Sequence, residues 1–209
     1  MTVKHEGEAI VYIIDDDLSV RRGLDDLFAS IGMKAMSFAS VRSFLDHERQ
    51  PGPSCLVLDV RMPGQTGTDF FAQMAGLGIT IPVIFITGHG DIAMGVKAIK
   101  DGAADFLPKP FRDHDLLDAV YRAIDGDRKR LQSEGTRLEI HTRWMNLTTG
   151  ERDVLALVVQ GLLNKQIAAL LDIKEITVKV RRANVMQKMQ ASSLADLVRM
   201  SILISNAEN

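Results

Sequence analysis

The chain has 209 residues, of which 46% are hydrophobic and 25% charged, as in ordinary globular proteins of one or two domains. It contains no apolar stretch near the roughly 18 residues of a membrane span, and residues 1–8 show no apolar core of a secretory signal. The single cysteine, Cys55, excludes an internal disulfide and favours a buried thiol in a reducing compartment. We therefore expect a cytoplasmic protein without a membrane partner.

Charge is distributed unevenly along the chain. Residues 1–125 carry 12 Lys and Arg against 18 Asp and Glu, a net charge of −6, whereas residues 126–209 carry 13 against 9, a net charge of +4. An acidic front and a basic back predict two domains with different partners, and the basic part is a candidate for binding nucleic acid. The surplus of +4 could also be an ordinary solvated surface.

Strands and helices alternate through the acidic half. In chain order, the predicted elements are a strand at 10–14, a helix from about 18 to 31, a strand at 34–38, a short helix at 41–48, a strand at 55–59, a helix at 66–77, a strand at 81–86, a helix marked by apolar residues 92–99, a strand at 103–107 and a helix marked by 116–124. Five alternations predict an α/β fold with a doubly wound, five-stranded parallel sheet.

The basic half has a helical pattern only. Residues 126–143 have weak apolar spacing and many charges, which predicts a linker with partly helical character. Thr148 and Glu151 fit a capping box ahead of a helix at 154–160, and further helices are predicted at 164–171, 175–190 and 193–204. We therefore expect a small all-α domain of four helices.

Acidic and basic side chains follow the ends of the predicted strands. Asp15 and Asp16 follow the first strand, Asp59 ends the third and Thr87 follows the fourth, while Lys109 precedes a proline after the fifth. Ligands bind at the carboxyl ends of such strands, and converging carboxylates suit a hard divalent ion such as Mg²⁺. A carboxylate can act as a nucleophile, so these groups predict a site for a phosphoryl group on Asp59.

Each of these residues also has a purely structural interpretation. The run Asp15-Asp16-Asp17 could cap the helix that follows, and Lys109 could be solvated. Their joint placement at strand ends favours the phosphoryl site. Pro110 allows a cis peptide bond after Lys109.

The acidic half resembles the flavodoxin-like receiver domain of bacterial two-component response regulators. The resemblance is carried by Asp15-Asp16, Asp59 followed by Met62-Pro63-Gly64, Thr87, and Lys109-Pro110-Phe111. It implies that Asp59 is the phosphoacceptor and that Asp16, Asp59 and the backbone carbonyl of Arg61 hold Mg²⁺, with Asp15 acting through water. It also implies that Thr87 and Lys109 contact the phosphoryl oxygens and that Phe106 is the switch aromatic residue, although Phe106 could equally be core.

The helices at 164–171 and 175–190 fit a helix-turn-helix. At about 100° per residue, Val178, Val185 and Met189 share a core face. The opposite face carries Ile176, Val180, Ala183 and Gln187, flanked by Lys179 and Asn184. We expect that face to meet base edges, and the sideways-pointing Arg181 and Arg182 to meet phosphates.

Residues 144–205 resemble the LuxR-type helix-turn-helix. The resemblance is carried by Leu147-Thr148, Glu151, Val154-Leu155, Gly161-Leu162, Asn164 to Ala168, Ile176 to Val180 and Met186 to Met189. The whole chain is similar to response regulators of the FixJ/NarL class, closest to the FixJ type, with a receiver at 1–125, a linker at 126–143 and a DNA-binding domain at 144–209. The implied DNA contacts are Lys165, Thr177, Lys179, Val180, Arg181, Arg182, Ala183 and Gln187.

Four residues depart from the usual pattern of that class. Gly150 stands where relatives usually have arginine, Lys174 where a serine often caps the recognition helix, and Arg181 where histidine is common, while Ala183 offers no hydrogen bond. These departures bear on the DNA sequence preference and leave the expectation of DNA binding in place.

The resemblance implies a transcription factor, of the activator type, that receives a phosphoryl group from a sensor histidine kinase. Phosphorylation would promote a homodimer that binds promoter DNA, with RNA polymerase as a further partner. Enzymatic activity would be limited to Mg²⁺-dependent self-phosphorylation and self-dephosphorylation. The alternatives are a phosphate-independent DNA-binding regulator, a phosphohydrolase with an aspartate nucleophile, and a flavin or nucleotide carrier, disfavoured because no glycine-rich loop follows the first strand.

Overall fold

The computed structural model describes residues 7–88 and 92–205. The prediction that residues 1–8 contain no secretory signal falls mostly on residues 1–6, which lie outside the described residues. The chain separates into two compact units, Met1–Gln132 and Ser133–Asn209, and each unit is described by itself.

The elements follow the predicted alternation. The strands are β1 (Ile10–Ile14), β2 (Lys34–Phe38), β3 (Ser54–Asp59), β4 (Val83–Thr87) and β5 (Asp105–Pro108). The helices are α1 (Leu18–Ser30), α2 (Val41–Leu45), α3 (Gly67–Met74), α4 (Ile92–Lys100), α5 (Asp113–Met145), α6 (Thr149–Val158), α7 (Asn164–Leu170), α8 (Glu175–Met189) and α9 (Leu194–Ser205).

The first unit contains the predicted parallel sheet. Its five strands have the order β2-β1-β3-β4-β5, and every neighbouring pair is parallel. All residues of the central strands β1, β3 and β4 are buried, as expected for a sheet covered on both faces. The predicted doubly wound fold is confirmed.

Alternate residues of the strands form two separate cores. Tyr12, Leu56 and Leu58 pack with apolar residues of α2, α3 and α4 on one face of the sheet. Val11 and Val57, with the buried Cys55, pack with residues of α1 and α5 on the other face. The prediction of a buried thiol is confirmed, and burial raises the pKa of Cys55 far above its usual value.

Two strands begin later than their apolar patterns predicted, β4 at Val83 instead of residue 81 and β5 at Asp105 instead of residue 103. β5 was expected at residues 103–107, but the chain at that point still closes the preceding helix, because the Ala103 N–H donates to the Ala98 carbonyl of α4 at 3.0 Å. Gly102 has a φ of +98°, which lets the backbone turn out of α4. β5 therefore starts only at Asp105.

Residues 126–143 are helical throughout and lie in α5. Neither Gly126 nor Gly135 interrupts the helix, although glycine is a weak helix former. Ion pairs one turn apart compensate locally, with 2.7 Å between Lys129 Nζ and Asp125 Oδ2. The boundaries 1–125, 126–143 and 144–209 remain a prediction.

The second unit is helical, as predicted. Val154, Ile167, Val178, Val185 and Leu197 form the centre of its core, and Trp144 packs against it. The capping box is confirmed, since the Thr148 hydroxyl accepts from the Glu151 N–H and the Glu151 carboxylate accepts from the Thr148 N–H. None of the helices in the described ranges is sufficiently long and apolar to cross a membrane.

Candidate functional site: an acidic pocket and a helix-turn-helix

The acidic pocket lies where the strand order reverses. β1 and β3 are adjacent and parallel, and Ile14 pairs with Leu58, so Asp15 lies level with Asp59 at the carboxyl end of the sheet. Helices leave β1 and β3 toward different faces, which opens a crevice at this point. Asp15 is 0% and Asp59 is 6% exposed, so both carboxyl groups lie inside the crevice rather than on its rim.

Three carboxylates converge in the crevice. One ligand oxygen each of Asp15, Asp16 and Asp59 lies within 4.8 Å of the others, and Asp16 faces solvent. Two buried oxygen donors and one exposed donor suit a hard cation that keeps part of its water shell, as Mg²⁺ does. The residues present therefore fit the predicted metal.

Asp17 has a different role from its two neighbours. Its carboxylate accepts from the Ser19 and Val20 N–H groups, at 2.7 and 3.4 Å, and so caps α1. These backbone hydrogen bonds lower the pKa of Asp17 below its usual value. The capping interpretation of the Asp run is thus correct for Asp17, whereas Asp15 and Asp16 belong to the pocket.

Lys109 provides the positive charge of the pocket. Its Nζ lies 2.6 Å from Asp15 Oδ2 and 3.6 Å from Asp59 Oδ1. The peptide bond between Lys109 and Pro110 is cis, and the Lys109 N–H donates to the Thr87 carbonyl at 2.7 Å. The end of β5 is thereby tied to the end of β4, and the ammonium group lies between two carboxylates of different strands.

The environment of Asp59 disfavours the ionised form of its carboxyl group. Burial raises its pKa, the Lys109 charge lowers it, and the charge of Asp15 raises it again, so that the net shift is upward. Among the described residues no donor is hydrogen-bonded to Asp59 Oδ1, which is buried. A buried anion with an unsatisfied oxygen is stabilised by an added cation, and the same oxygen is free to react.

Thr87 and Phe106 lie on neighbouring strands next to the pocket. Thr87 is fully buried at the end of β4, and Phe106 pairs in register with Phe85. The half-buried Phe106 ring packs against α4 at Gly95, where an added Cβ would lie only 2.8 Å from its Cδ1. The Arg61 side chain is exposed, and its backbone N–H opposes the upward shift of the Asp59 pKa.

The recognition helix α8 has the predicted faces. Val178, Val185 and Met189 are buried in the core of the second unit. The opposite face is open, with Ile176 63% and Val180 54% exposed. Other predicted contact residues with exposed side chains are Lys165, Lys179, Ala183 and Gln187, while Thr177 is half-buried.

The basic residues of α8 have different surroundings. Lys179 Nζ lies 3.3 Å from Glu175 Oε1 on the exposed face, and Arg182 donates to Asn164 Oδ1 of α7 at 3.1 Å. The Arg181 guanidinium lies against Gly150 of α6. Arg181 and Arg182 therefore contact two different helices of the bundle instead of forming one basic patch.

Sequence reasoning missed the ion pair of the buried Glu151 carboxylate. Lys188 Nζ donates to Glu151 Oε2 at 2.7 Å and so links α8 to the N-terminus of α6. Burial alone would raise the pKa of Glu151, but hydrogen bonds from Lys188 and Thr148 outweigh it and lower the pKa to about 2. The capping box was a signal for Glu151, whereas nothing in the local pattern indicates its partner 37 positions away.

Comparison with known proteins identifies both units. Residues 11–121 match the family of the response regulator receiver domain. Residues 145–201 match the family of bacterial regulatory proteins called the luxR family.

Relatives resemble the chain over nearly its full length. Nodulation protein W of Bradyrhizobium diazoefficiens is 50% identical over 97% of this chain and 89% of that protein. The transcriptional regulatory protein FixJ of Azorhizobium caulinodans is 43% identical over 92% of each chain. The solved structure of the response regulator StyR has a TM-score of 0.85 at 44% identity, covering 93% of this chain and 98% of that one.

A receiver fold with an acidic pocket, followed by a helix-turn-helix, defines the class of response regulators that regulate transcription. The chain belongs to the response regulators that join a receiver domain to a LuxR-type DNA-binding domain. Membership implies a sensor kinase and DNA as partners, and it describes a transcription regulator rather than a typical enzyme. The predicted family and general function are confirmed.

Proposed function

We propose that Asp59 accepts a phosphoryl group from a phosphohistidine of a sensor histidine kinase. The observation that carries this proposal is the buried Asp59 Oδ1, which has no hydrogen-bond donor among the described residues and faces Lys109 Nζ at 3.6 Å. This oxygen forms the new bond to phosphorus while the bond from phosphorus to the histidine nitrogen breaks. The electron pair of that bond stays on the nitrogen.

Lys109 and Thr87 would receive the phosphoryl oxygens. The Lys109 ammonium donates a hydrogen bond to Asp15 and already lies near Asp59. A small movement therefore lets it donate to a negative phosphoryl oxygen. Mg²⁺, held by Asp15, Asp16, Asp59 and the backbone carbonyl of Arg61, would supply charge neutralisation for the same oxygens. Self-phosphorylation from a small donor and self-dephosphorylation use the same groups.

Phosphorylation would change the surface of the first unit near α4. We expect Thr87 to move toward the phosphoryl group and Phe106 to turn into the vacated space. The surface of the first unit exposes large apolar side chains of a kind usually buried in a core: Val96 is 51%, Ile99 47% and Tyr121 51% exposed. These side chains would form the contact between two receivers in a phosphorylated homodimer.

The exposed face of α8 would then bind promoter DNA. A dimer presents two recognition helices to half-sites about one helical turn apart. Val180 and Ala183 suit contact with thymine methyl groups, and Lys179 suits a guanine or a phosphate. We propose activation through RNA polymerase as the outcome, in the cytoplasm, where a bacterial promoter lies.

The phosphoacceptor is tested by labelling the full chain with acetyl [³²P]phosphate, with and without Mg²⁺. Wild-type protein should label only with Mg²⁺, Asp59→Asn should not label, and the matched control Asp101→Asn, an exposed aspartate on the same unit, should label normally. Labelling of Asp59→Asn at the wild-type level would refute the assignment. Continuous release of phosphate in large excess over protein would instead indicate a phosphohydrolase.

A further inference from the structure

Gly150 of α6 lies directly beneath the side chain of Arg181 from α8. A Cβ at position 150 would lie 2.6 Å from Arg181 Cζ, 2.7 Å from Nη1 and 3.0 Å from Nη2. The distances to Cζ and Nη1 are shorter than real Cβ contacts, so the guanidinium occupies space that exists only because residue 150 has no side chain. Any substitution at Gly150 must move the end of Arg181 elsewhere.

Arg181 does not belong to the face of α8 expected to read bases. At about 100° per residue, it lies roughly 60° from the buried Val178 and far from Val180 on the open face. Its guanidinium is instead carried sideways, toward the N-terminal turn of α6. Groups at the sides of a recognition helix meet the phosphates that border the groove.

The Arg181 guanidinium also lacks a protein acceptor. Each neighbouring cation has at least one protein acceptor: Arg182 donates to Asn164, Lys188 donates to Glu151, and Arg152 Nη2 donates to the Met145 carbonyl at 3.2 Å, although Arg152 Nε has no partner among the described residues. Across residues 7–88 and 92–205, no hydrogen bond or ion pair is formed by Arg181. A half-buried guanidinium with five donors, held in place by packing but unpaired, is ready for an anion.

We propose that Gly150 is a positioning residue for DNA binding, which acts by holding the Arg181 guanidinium where it meets a backbone phosphate. The proposal rests on the DNA-binding function proposed above and adds a residue to it. The two residues act together, because the Arg181 guanidinium reaches the phosphate only when residue 150 has no side chain.

The test measures binding of the full chain, treated with acetyl phosphate and Mg²⁺, to a fluorescent mixed-sequence duplex of about 30 base pairs, long enough for two half-sites. Loss of one phosphate contact should reduce the slope of log affinity against log salt by about 0.9 per bound protomer, so the deficit against wild type should shrink about 3.5-fold between about 50 and about 200 mM KCl. We expect this change for Gly150→Ala and for Arg181→Gln. The double variant should be no weaker than Arg181→Gln alone.

Protein stability separates this role from a structural one. Alanine is the better helix former, and the displaced atoms are the end of a flexible side chain, so Gly150→Ala should unfold at the same or a higher urea concentration. Gly23→Ala, in α1 with nothing near its added Cβ, is the control and should bind DNA as wild type does.

Wild-type affinity and salt slope in Gly150→Ala would overturn the inference, as would additive losses in the double variant. Lys179→Ala distinguishes this failure from failure of the proposed function. If wild type binds the duplex and Lys179→Ala binds more weakly, DNA binding stands and only the role of Gly150 fails. If wild type itself does not bind at low salt, the proposed function fails and this inference with it.

Discussion

Replacing Glu151 with glutamine should weaken the helical unit by a predictable amount. Glu151 is 4% exposed, and its carboxylate accepts from Lys188 and from the Thr148 N–H. A pKa lowered from 4.5 to about 2 corresponds to roughly 3 kcal/mol of stabilisation, at about 1.4 kcal/mol for each pH unit. Glutamine keeps the size of the side chain and an acceptor for Thr148, so the loss isolates the ionised carboxylate.

The loss should depend on pH in a defined direction. Because the folded pKa of Glu151 is depressed, its stabilisation is complete above the unfolded value of 4.5 and disappears as pH falls toward the folded value of about 2. Glu151→Gln should therefore cost about 3 kcal/mol at pH 7 but only about 1 kcal/mol at pH 3.

Urea unfolding followed by tryptophan fluorescence measures this effect in the relevant unit. Trp144 is the only tryptophan of the chain and packs against the core of the helical unit. Asp153→Asn, an exposed aspartate on the same helix, is the control and should change stability by less than about 0.5 kcal/mol. An equal loss at both pH values would show that ionisation of Glu151 is not the cause, and no loss at pH 7 would refute the reasoning.

Two further stability predictions follow from single contacts. The Lys174 side chain, at the N-cap of α8, makes no capping hydrogen bond to the helix, so Lys174→Ser should raise the free energy of unfolding by about 1 kcal/mol. Urea unfolding monitored by Trp144 fluorescence measures this change, and a fall in stability would contradict it. Asp127 accepts from the Ser54 N–H at 2.8 Å, so Asp127→Ala should cost about 2 kcal/mol and speed modification of the buried Cys55 by a thiol reagent roughly thirty-fold. Asp125→Ala removes only two exposed ion pairs, and an equal acceleration in this variant would contradict the role of Asp127.

Much of the receiver could be predicted because its signals are local. Apolar runs bounded by turns located the strands, and the residues that end β1 and β3 converge automatically in a parallel sheet. The sequence could not show which aspartate of the Asp15-Asp16-Asp17 run would cap α1, because all three precede the helix. Only the backbone geometry assigns that role to Asp17.

Contacts between distant positions were beyond prediction. Asp127 is buried with a partner 73 positions away, and Glu151 with a partner 37 positions away, so helical periodicity alone would have placed both in solvent. The fit of Arg181 over Gly150 depends on how closely α6 and α8 approach each other. The sequence showed both residues as departures from the family pattern, but only the packing of the two helices shows that they are in contact.

The central claim is that a phosphoryl group on Asp59 controls DNA binding by the helix-turn-helix. The most direct measurement is selection from a pool of random duplexes by the full chain treated with acetyl phosphate and Mg²⁺. We predict enrichment of two half-sites about one helical turn apart. Untreated protein and treated Asp59→Asn should bind the selected duplex at least about ten-fold more weakly, a difference of about 1.4 kcal/mol. Equal affinity with and without the phosphodonor would contradict the account.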